Sequence, residues 1–177
     1  TTYYEWFEKT WPIVRQLQPM ASIFSDIGPD MRWVGNEHGF AAETSWATIT
    51  PIGHNGKQAM PGATDAKNLP TGDRNGELWI PAECDVPQRP GWFYHKNQDA
   101  KVKTPNQLFE IYMKSVGRGA NMNLGLAPMP EGYLHPNDVK SLEYFGKKVK
   151  YTFANNMANG ATAVASSKRS NSSEFDV

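Results

Sequence analysis

Between Thr104 and Val149 the spacing of apolar residues changes twice, and that change restricts the fold more than any other feature of the chain. In "TPNQLFEIYMKSVG", Leu108, Ile111, Tyr112 and Ser115 fall on one helical face. Thr104 can cap this helix, Pro105 suits its first position and Gly117 closes it. "NMNLGLAP" then reads as a strand, and "HPNDVKSLEYFGKKV" returns to helical spacing with Val139, Leu142 and Phe145 in phase. Strands alternating with amphipathic helices predict an α/β protein whose parallel sheet is covered by helices, either open or closed into a barrel.

The same alternation extends upstream. "YYEWFEKTWPIVRQLQP" predicts a helix with Phe7, Trp11 and Val14 on one face, stopped by Pro19; Pro12 either kinks it or begins its ordered part. "ASIFSD" is an apolar run of strand length, and "ELWIPAECDV" reads as a single strand. Residues 51–76 between them have no apolar period and are crowded with Gly, Pro, Asn and Asp, the pattern of a long functional or mobile loop. The predicted order is α-β-loop-β-loop-β-α-β-α. Acidic residues gather where strands end, as catalytic groups do in barrels, whose sites lie on loops at the C-terminal ends of the strands. Beyond residue 150 the chain turns to small and polar residues, and 151–177 reads as a tail or as the start of a second, β-rich domain through "ATAVAS".

Charge and cysteine usage exclude several classes of partner. Eighteen basic residues balance 18 acidic ones, so no broad field recommends a nucleic acid or an anionic membrane. No apolar run approaches the roughly 20 residues that span a bilayer, and the first residues lack a secretion signal, which leaves either a cytoplasmic chain or a leader outside it. Cys84 is the only cysteine, so neither an intrachain disulfide nor a cysteine zinc cage is expected. His38, His54, His95 and His135 have no metal-binding spacing, so a locally assembled metal site is not expected. His95 alone is placed near a pocket, with a structural role equally open. "GRGANMNLG" runs from helix to strand, the reverse of the order that aims backbone amides at phosphate, so nucleotide binding is not expected.

Carboxylates and indoles carry the chemistry that remains. Asp26, Asp30, Glu37, Glu43, Glu83 and Asp85 lie at predicted strand ends. Two of them could divide the cleavage of a sugar bond, one protonating the leaving oxygen while the other attacks carbon or activates water. Alternatively they are solvated, or paired with Arg32 and Arg89. Trp33, Trp46, Trp79 and Trp92 stand beside these acids, and an indole offers a flat apolar face that suits the C–H face of a sugar ring. For Trp33 and Trp79 a place in the core is the other reading.

Taken together, "IFSDIGPDMRWVGNEHGFAAETSW", "WIPAECDVPQRPGWFYH", "YMKSVGRGANMNLGLAP" and "HPNDVKSLEYFG" resemble, in order and over residues 4–150, the C-terminal half of the catalytic barrel of retaining α-L-fucosidases, glycoside hydrolase family 29. The resemblance implies a (β/α)8-like barrel and the removal of terminal α-L-fucose through a covalent glycosyl-enzyme, without a cofactor. "GPDMRWVGNE" is similar to the branch that prefers α-1,3 and α-1,4 linkages in branched glycans. In that branch the Glu of "GNE", here Glu37, is the general acid/base. Trp92 would pack on the fucose face, Glu43 and Trp46 would lie near the adjoining sugar, and Arg32 would help to position the loop. Glu83, Asp85, Arg89 and His95 would form the wall of the substrate pocket.

The family's nucleophile is an Asp on a strand before the opening helix, in a motif like "W-F-D-x-A-N", and this chain starts after it. The expectation is therefore a piece of a barrel completed by a complementary N-terminal segment, since half a barrel would leave strand edges and an apolar interior open. The last residues resemble the start of the discoidin-like β-sandwich that often follows such barrels. The expected partner is a fucosylated oligosaccharide or glycoconjugate, and the expected compartment is extracellular or periplasmic. A carbohydrate-binding protein that has lost catalysis, and a glycosidase of other sugar specificity, are the competing readings.

Overall fold

The computed structural model describes residues 5–162, 164 and 166. Three helices, α1 (Glu5–Leu17), α2 (Pro105–Ser115) and α3 (Pro136–Thr152), accompany six strands: β1 (Phe24–Ser25), β2 (Met31–Trp33), β3 (Thr48–Ile49), β4 (Leu78–Trp79), β5 (Ala82–Pro87) and β6 (Asn121–Gly125). Strands β1, β2, β5 and β6 lie side by side in that order, every pair parallel. The expected α/β alternation and parallel sheet are both present.

Alternation along the strands divides the sheet into two chemically different faces. Val34, Ala82 and Cys84 form a buried apolar cluster with Ala41 and Ala120, and Val86 is buried as well. Helix α2 packs against β6 with Leu108, Ile111 and Ser115 buried. Its N-terminus carries the predicted cap: the Thr104 hydroxyl accepts from the Gln107 amide, and the Gln107 side chain accepts from the Thr104 amide. On the opposite face the register aligns Trp33, Glu83 and Asn121 in one row and Asp85 with Asn123 in the next. One side of the sheet is thus an apolar core, and the other carries indole, carboxylate and amide groups.

"ELWIPAECDV" is two strands, not one. Residues 78–79 pair antiparallel with β3 in a separate two-stranded sheet, and the parallel strand begins at Ala82, after Pro81, which has no N–H to give to a ladder. Trp79, on the edge of that small sheet, is 71% exposed and is not a core residue. The loop of residues 51–76 is ordered by its own hydrogen bonds. Asp73 accepts from the Thr50 amide and the Asn68 side chain, Asp26 accepts from the Gly62 amide, and Ile49, Leu69 and Ile80 form a second buried cluster against which Trp33 packs.

Helix α1 turns the expected face of Phe7, Trp11 and Val14 partly away from solvent and runs on through Pro12, and Arg15 ties it to the sheet by reaching Asp30 and the Ala21 carbonyl. One helical face differs from expectation. In α3 the buried positions are Asp138 and Ser141, while Val139 is exposed. Polar groups take the inward positions because they have partners there: Asp138 holds Arg89, and the Ser141 hydroxyl donates to the Lys103 carbonyl. Phe145 remains partly buried against Tyr112. Helix α3 ends at Thr152, near the expected boundary, and most of the β-sandwich reading beyond it falls outside the described residues; Ala161, Thr162 and Val164 are described and are not in a strand.

Candidate active site

Glu37, on the loop after β2, and Glu83 lie close enough to Asp85 for their charges to act on it; Glu83 and Asp85 project from within β5, not from its end as expected, because the strand runs on to Pro87. The loop after β2 is shaped by Asn36, whose side-chain oxygen accepts from the amides of His38 and Phe40 and whose NH2 donates to the Phe40 carbonyl. Gly39 lets this loop lie flat on the core. Its φ is +79°, and a Cβ there would come within 2.9 Å of Val86 and Ile111. Glu37 therefore projects from a loop braced on both sides and is itself exposed.

Each of the three carboxylates has a neutral hydrogen-bond donor. Trp92 Nε1 donates to Glu37 Oε2 at 3.1 Å, Trp33 Nε1 to Asp85 Oδ1 at 2.7 Å, and Asn123 Nδ2 to Glu83 Oε1 at 2.9 Å. No ion pair reaches any of them among the described residues. Burial pushes the Asp85 carboxyl above the ordinary carboxylate range, its own amide and Trp33 oppose that shift, and the Glu37 and Glu83 charges add to it. Carboxylates gathered without a cation disfavour one another's ionisation, an arrangement common where proton transfer or a cationic transition state must be served.

Asp85 gives a pH prediction. Because its pKa is raised in the folded state, the native protein binds this proton more tightly than the unfolded chain does, and stability falls as pH rises through the raised value. Asp85→Asn keeps an oxygen for Trp33 and abolishes that loss. The full-length variant should match the wild type most closely in acid and melt progressively higher than it as pH rises, in thermal melts from about pH 4 to 8. Parallel Tm–pH curves would contradict the strained-carboxylate picture.

Trp92 is held over the same group of residues. The Gln88 amide bonds the Gly125 carbonyl at the end of β6, and a Cβ on Gly125 would come within 2.6 Å of the Trp92 ring. Below the loop, Arg89 donates to both oxygens of Asp138 at 2.9 and 2.6 Å and to Asp99 at 3.0 Å, and its guanidinium lies 4.7 Å from the Tyr94 ring centroid. The Lys103 ammonium adds a bond to the Pro87 carbonyl at 2.6 Å.

The expected wall residue Arg89 is therefore structural, and Arg32, expected to help position the loop, is internal. Arg89 has no exposed side-chain surface and is saturated by Asp138 and Asp99, so it braces the Trp92 loop instead of lining a pocket. Arg32 is likewise fully buried and donates to the carbonyls of Leu69, Ala47, Ile80 and Trp46. It organises the loops after β2. Neither arginine pairs with a strand-end acid; Asp30 pairs with Arg15 instead.

Of the remaining candidates, Glu43 is exposed, and no hydrogen bond or ion pair joins it to the Glu37 group among the described residues. Trp46 is partly exposed with the Arg74 guanidinium 5.9 Å over its ring. His95 is exposed, and its carbonyl accepts from Arg89. Sequence reasoning missed Asn123 and Asp138. The alternation in "NMNLG" is a signal that could have placed Asn123 on the polar face of its strand, whereas nothing in "HPND" distinguishes a buried anchor from a helix-start Asp. Among the described residues no three His, Cys, Asp or Glu side chains are arranged to hold a metal, and no helix is long and apolar enough to cross a membrane.

The family model described as Alpha-L-fucosidase matches residues 5–152. The chain belongs to the α-L-fucosidase family. Alpha-L-fucosidase 1 of Arabidopsis thaliana is 42% identical over 173 residues, covering 97% of this chain and 33% of the relative. A solved glycoside hydrolase 29 family member from an unknown rumen bacterium superposes with a TM-score of 0.78 at 35% identity, over 94% of this chain and 28% of that one. A fucosidase of that family from Ruminococcus gnavus, solved in complex with fucose, shares the fold, with a TM-score of 0.71 at 24% identity over 88% of this chain and 32% of its own. The fucosidase-family chain thus spans about a third of the length of the relatives it matches.

Proposed function

We propose that the full-length protein is an exo-acting α-L-fucosidase that releases terminal L-fucose from glycans with retention of configuration. The observation that carries this reading is the Glu37 carboxyl, exposed at the strand ends, held by an indole N–H and flanked by Glu83 and Asp85. In this mechanism Glu37 gives its proton to the glycosidic oxygen while a carboxylate attacks the anomeric carbon from the opposite face. The aglycone alcohol leaves and a glycosyl-enzyme forms. Glu37, now ionised, then takes a proton from water as the water attacks the same carbon, which releases fucose and frees the nucleophile.

The attacking carboxylate belongs to a segment of the barrel outside residues 1–177. That segment would add its strands to the open edges of β1 and β6 and face the polar side of the sheet. Trp92 offers its ring to the apolar face of fucose, and the preferred linkages are α-1,3 and α-1,4 in branched glycans, as the "GPDMRWVGNE" form suggests. Extracellular or periplasmic work suits such a substrate.

The test is the full-length protein incubated with a fucosylated trisaccharide and followed by proton NMR. The expected result is free fucose whose first-formed anomer is α, before mutarotation. A first-formed β anomer would overturn the double displacement, a different released sugar the specificity, and binding without release would favour the lectin-like reading.

A further inference from the structure

Trp92 touches the candidate site with its ring and with its N–H. Its Nε1–H lies 3.1 Å from Glu37 Oε2, joining two loops that are far apart in sequence. An indole nitrogen donates one hydrogen bond and accepts none, so it can bind only a lone pair of this carboxyl. Both ends of the bond are fixed independently. Asn36 and Gly39 brace the Glu37 loop, while Gly125, Lys103 and the Arg89–Asp138 pair brace the Trp92 loop. A free glutamate on an exposed loop would sample many rotamers, and this donor removes most of that freedom.

We propose that Trp92 is a positioning residue for the general acid/base: its N–H engages Glu37 Oε2, which leaves Oε1 as the oxygen that carries the transferred proton. The inference rests on the fucosidase reading above. A carboxyl rotated away from the glycosidic oxygen protonates it poorly, so the contribution of Trp92 grows with the need of the leaving group for a proton. An alcohol leaving from a glycan needs that proton, whereas a nitrophenolate departs without it.

The experiment removes the N–H and keeps the ring. Trp92→Phe, and the full-length enzyme carrying 3-benzothienylalanine at position 92, an indole isostere with sulfur in place of N–H, are assayed on a fucosylated disaccharide and on nitrophenyl α-L-fucoside. Loss of one hydrogen bond to a carboxyl that becomes ionised as it gives up its proton should lower kcat on the disaccharide by about tenfold. The loss on nitrophenyl fucoside should be several-fold smaller than on the disaccharide, and KM, which reports the contact of the ring with the sugar, should rise more in Trp92→Phe than in the isostere. In a Glu37→Gln background the same replacements should cost nothing further on the disaccharide. Equal losses on both substrates, a rise in KM alone, or wild-type rates throughout would each overturn the proposal and leave Trp92 as a platform for the sugar. If Glu37→Gln alone turned over the disaccharide at the wild-type rate, the acid/base assignment itself would fall, a result separable from the other three.

Discussion

Glu37→Gln is expected to slow fucose release from a disaccharide or trisaccharide by about two to four orders of magnitude, the usual contribution of a positioned acid/base. The substitution removes the transferable proton and little else. Glu37 is exposed, it makes no ion pair among the described residues, and a glutamine oxygen can still accept from Trp92 Nε1. Thermal stability should therefore stay near wild type, so the loss will be one of chemistry and not of folding. On nitrophenyl α-L-fucoside the first step needs no proton, and the deficit should shrink there until deglycosylation, which needs Glu37 as base, limits the rate. An unchanged rate on the natural-type substrate would remove Glu37 from the mechanism and turn attention to Asp85, the neighbouring carboxyl whose protonation burial favours.

Arg32→Met should be the most damaging substitution for folding. The guanidinium is fully buried and donates to four carbonyls, from Leu69 at 3.0 Å, Ala47 at 3.3 Å, Trp46 at 2.9 Å and Ile80. Burial pushes this guanidinium down to about 10, with the Asp73 charge opposing, and it stays protonated at neutral pH. Methionine fills similar space and bonds none of the four oxygens, of which Ala47's keeps the Ile80 amide and those of Leu69, Trp46 and Ile80 lose this donor. At about 1–3 kcal/mol for each stranded group, less than additively, the cost is about 4–6 kcal/mol. Against a typical margin of about 5–15 kcal/mol that is a large fraction, so Tm should fall by at least about 10 °C and soluble yield should drop. Arg32→Lys restores part of the bonding and should fall between the two. If Arg32→Met instead melted like the wild type and raised KM, the arginine would be a substrate ligand after all.

The two arginines show where reading residues in order stops. Nothing in "DMRWVG" or "PQRPGW" distinguishes a guanidinium aimed at a ligand from one that ties up loop carbonyls or a helix-borne Asp. Their partners come from Ala47, Leu69 and Ile80 in one case and from Asp138, 49 residues away, in the other. The same holds for α3, where helical spacing selected Val139 for the core and the fold buried Asp138 and Ser141 instead. Apolar periodicity detects faces that bury hydrocarbon, and it cannot detect a face that buries polar groups already matched elsewhere.

What the sequence by itself determined was the order of helices and parallel strands, the cap of α2 and, through several motifs in series, the family. These are local or repeated signals, carried by side-chain spacing and turn chemistry that neighbouring residues settle among themselves. Only the tertiary structure decided which acids meet, that Trp92 touches Glu37 across 55 residues, that Trp33 serves Asp85, and that Arg32 and Arg89 are internal struts. Those pairings depend on strand register and loop closure. Both are set by the packing of the whole sheet, because a buried charge or donor takes whichever partner the fold brings within hydrogen-bond reach.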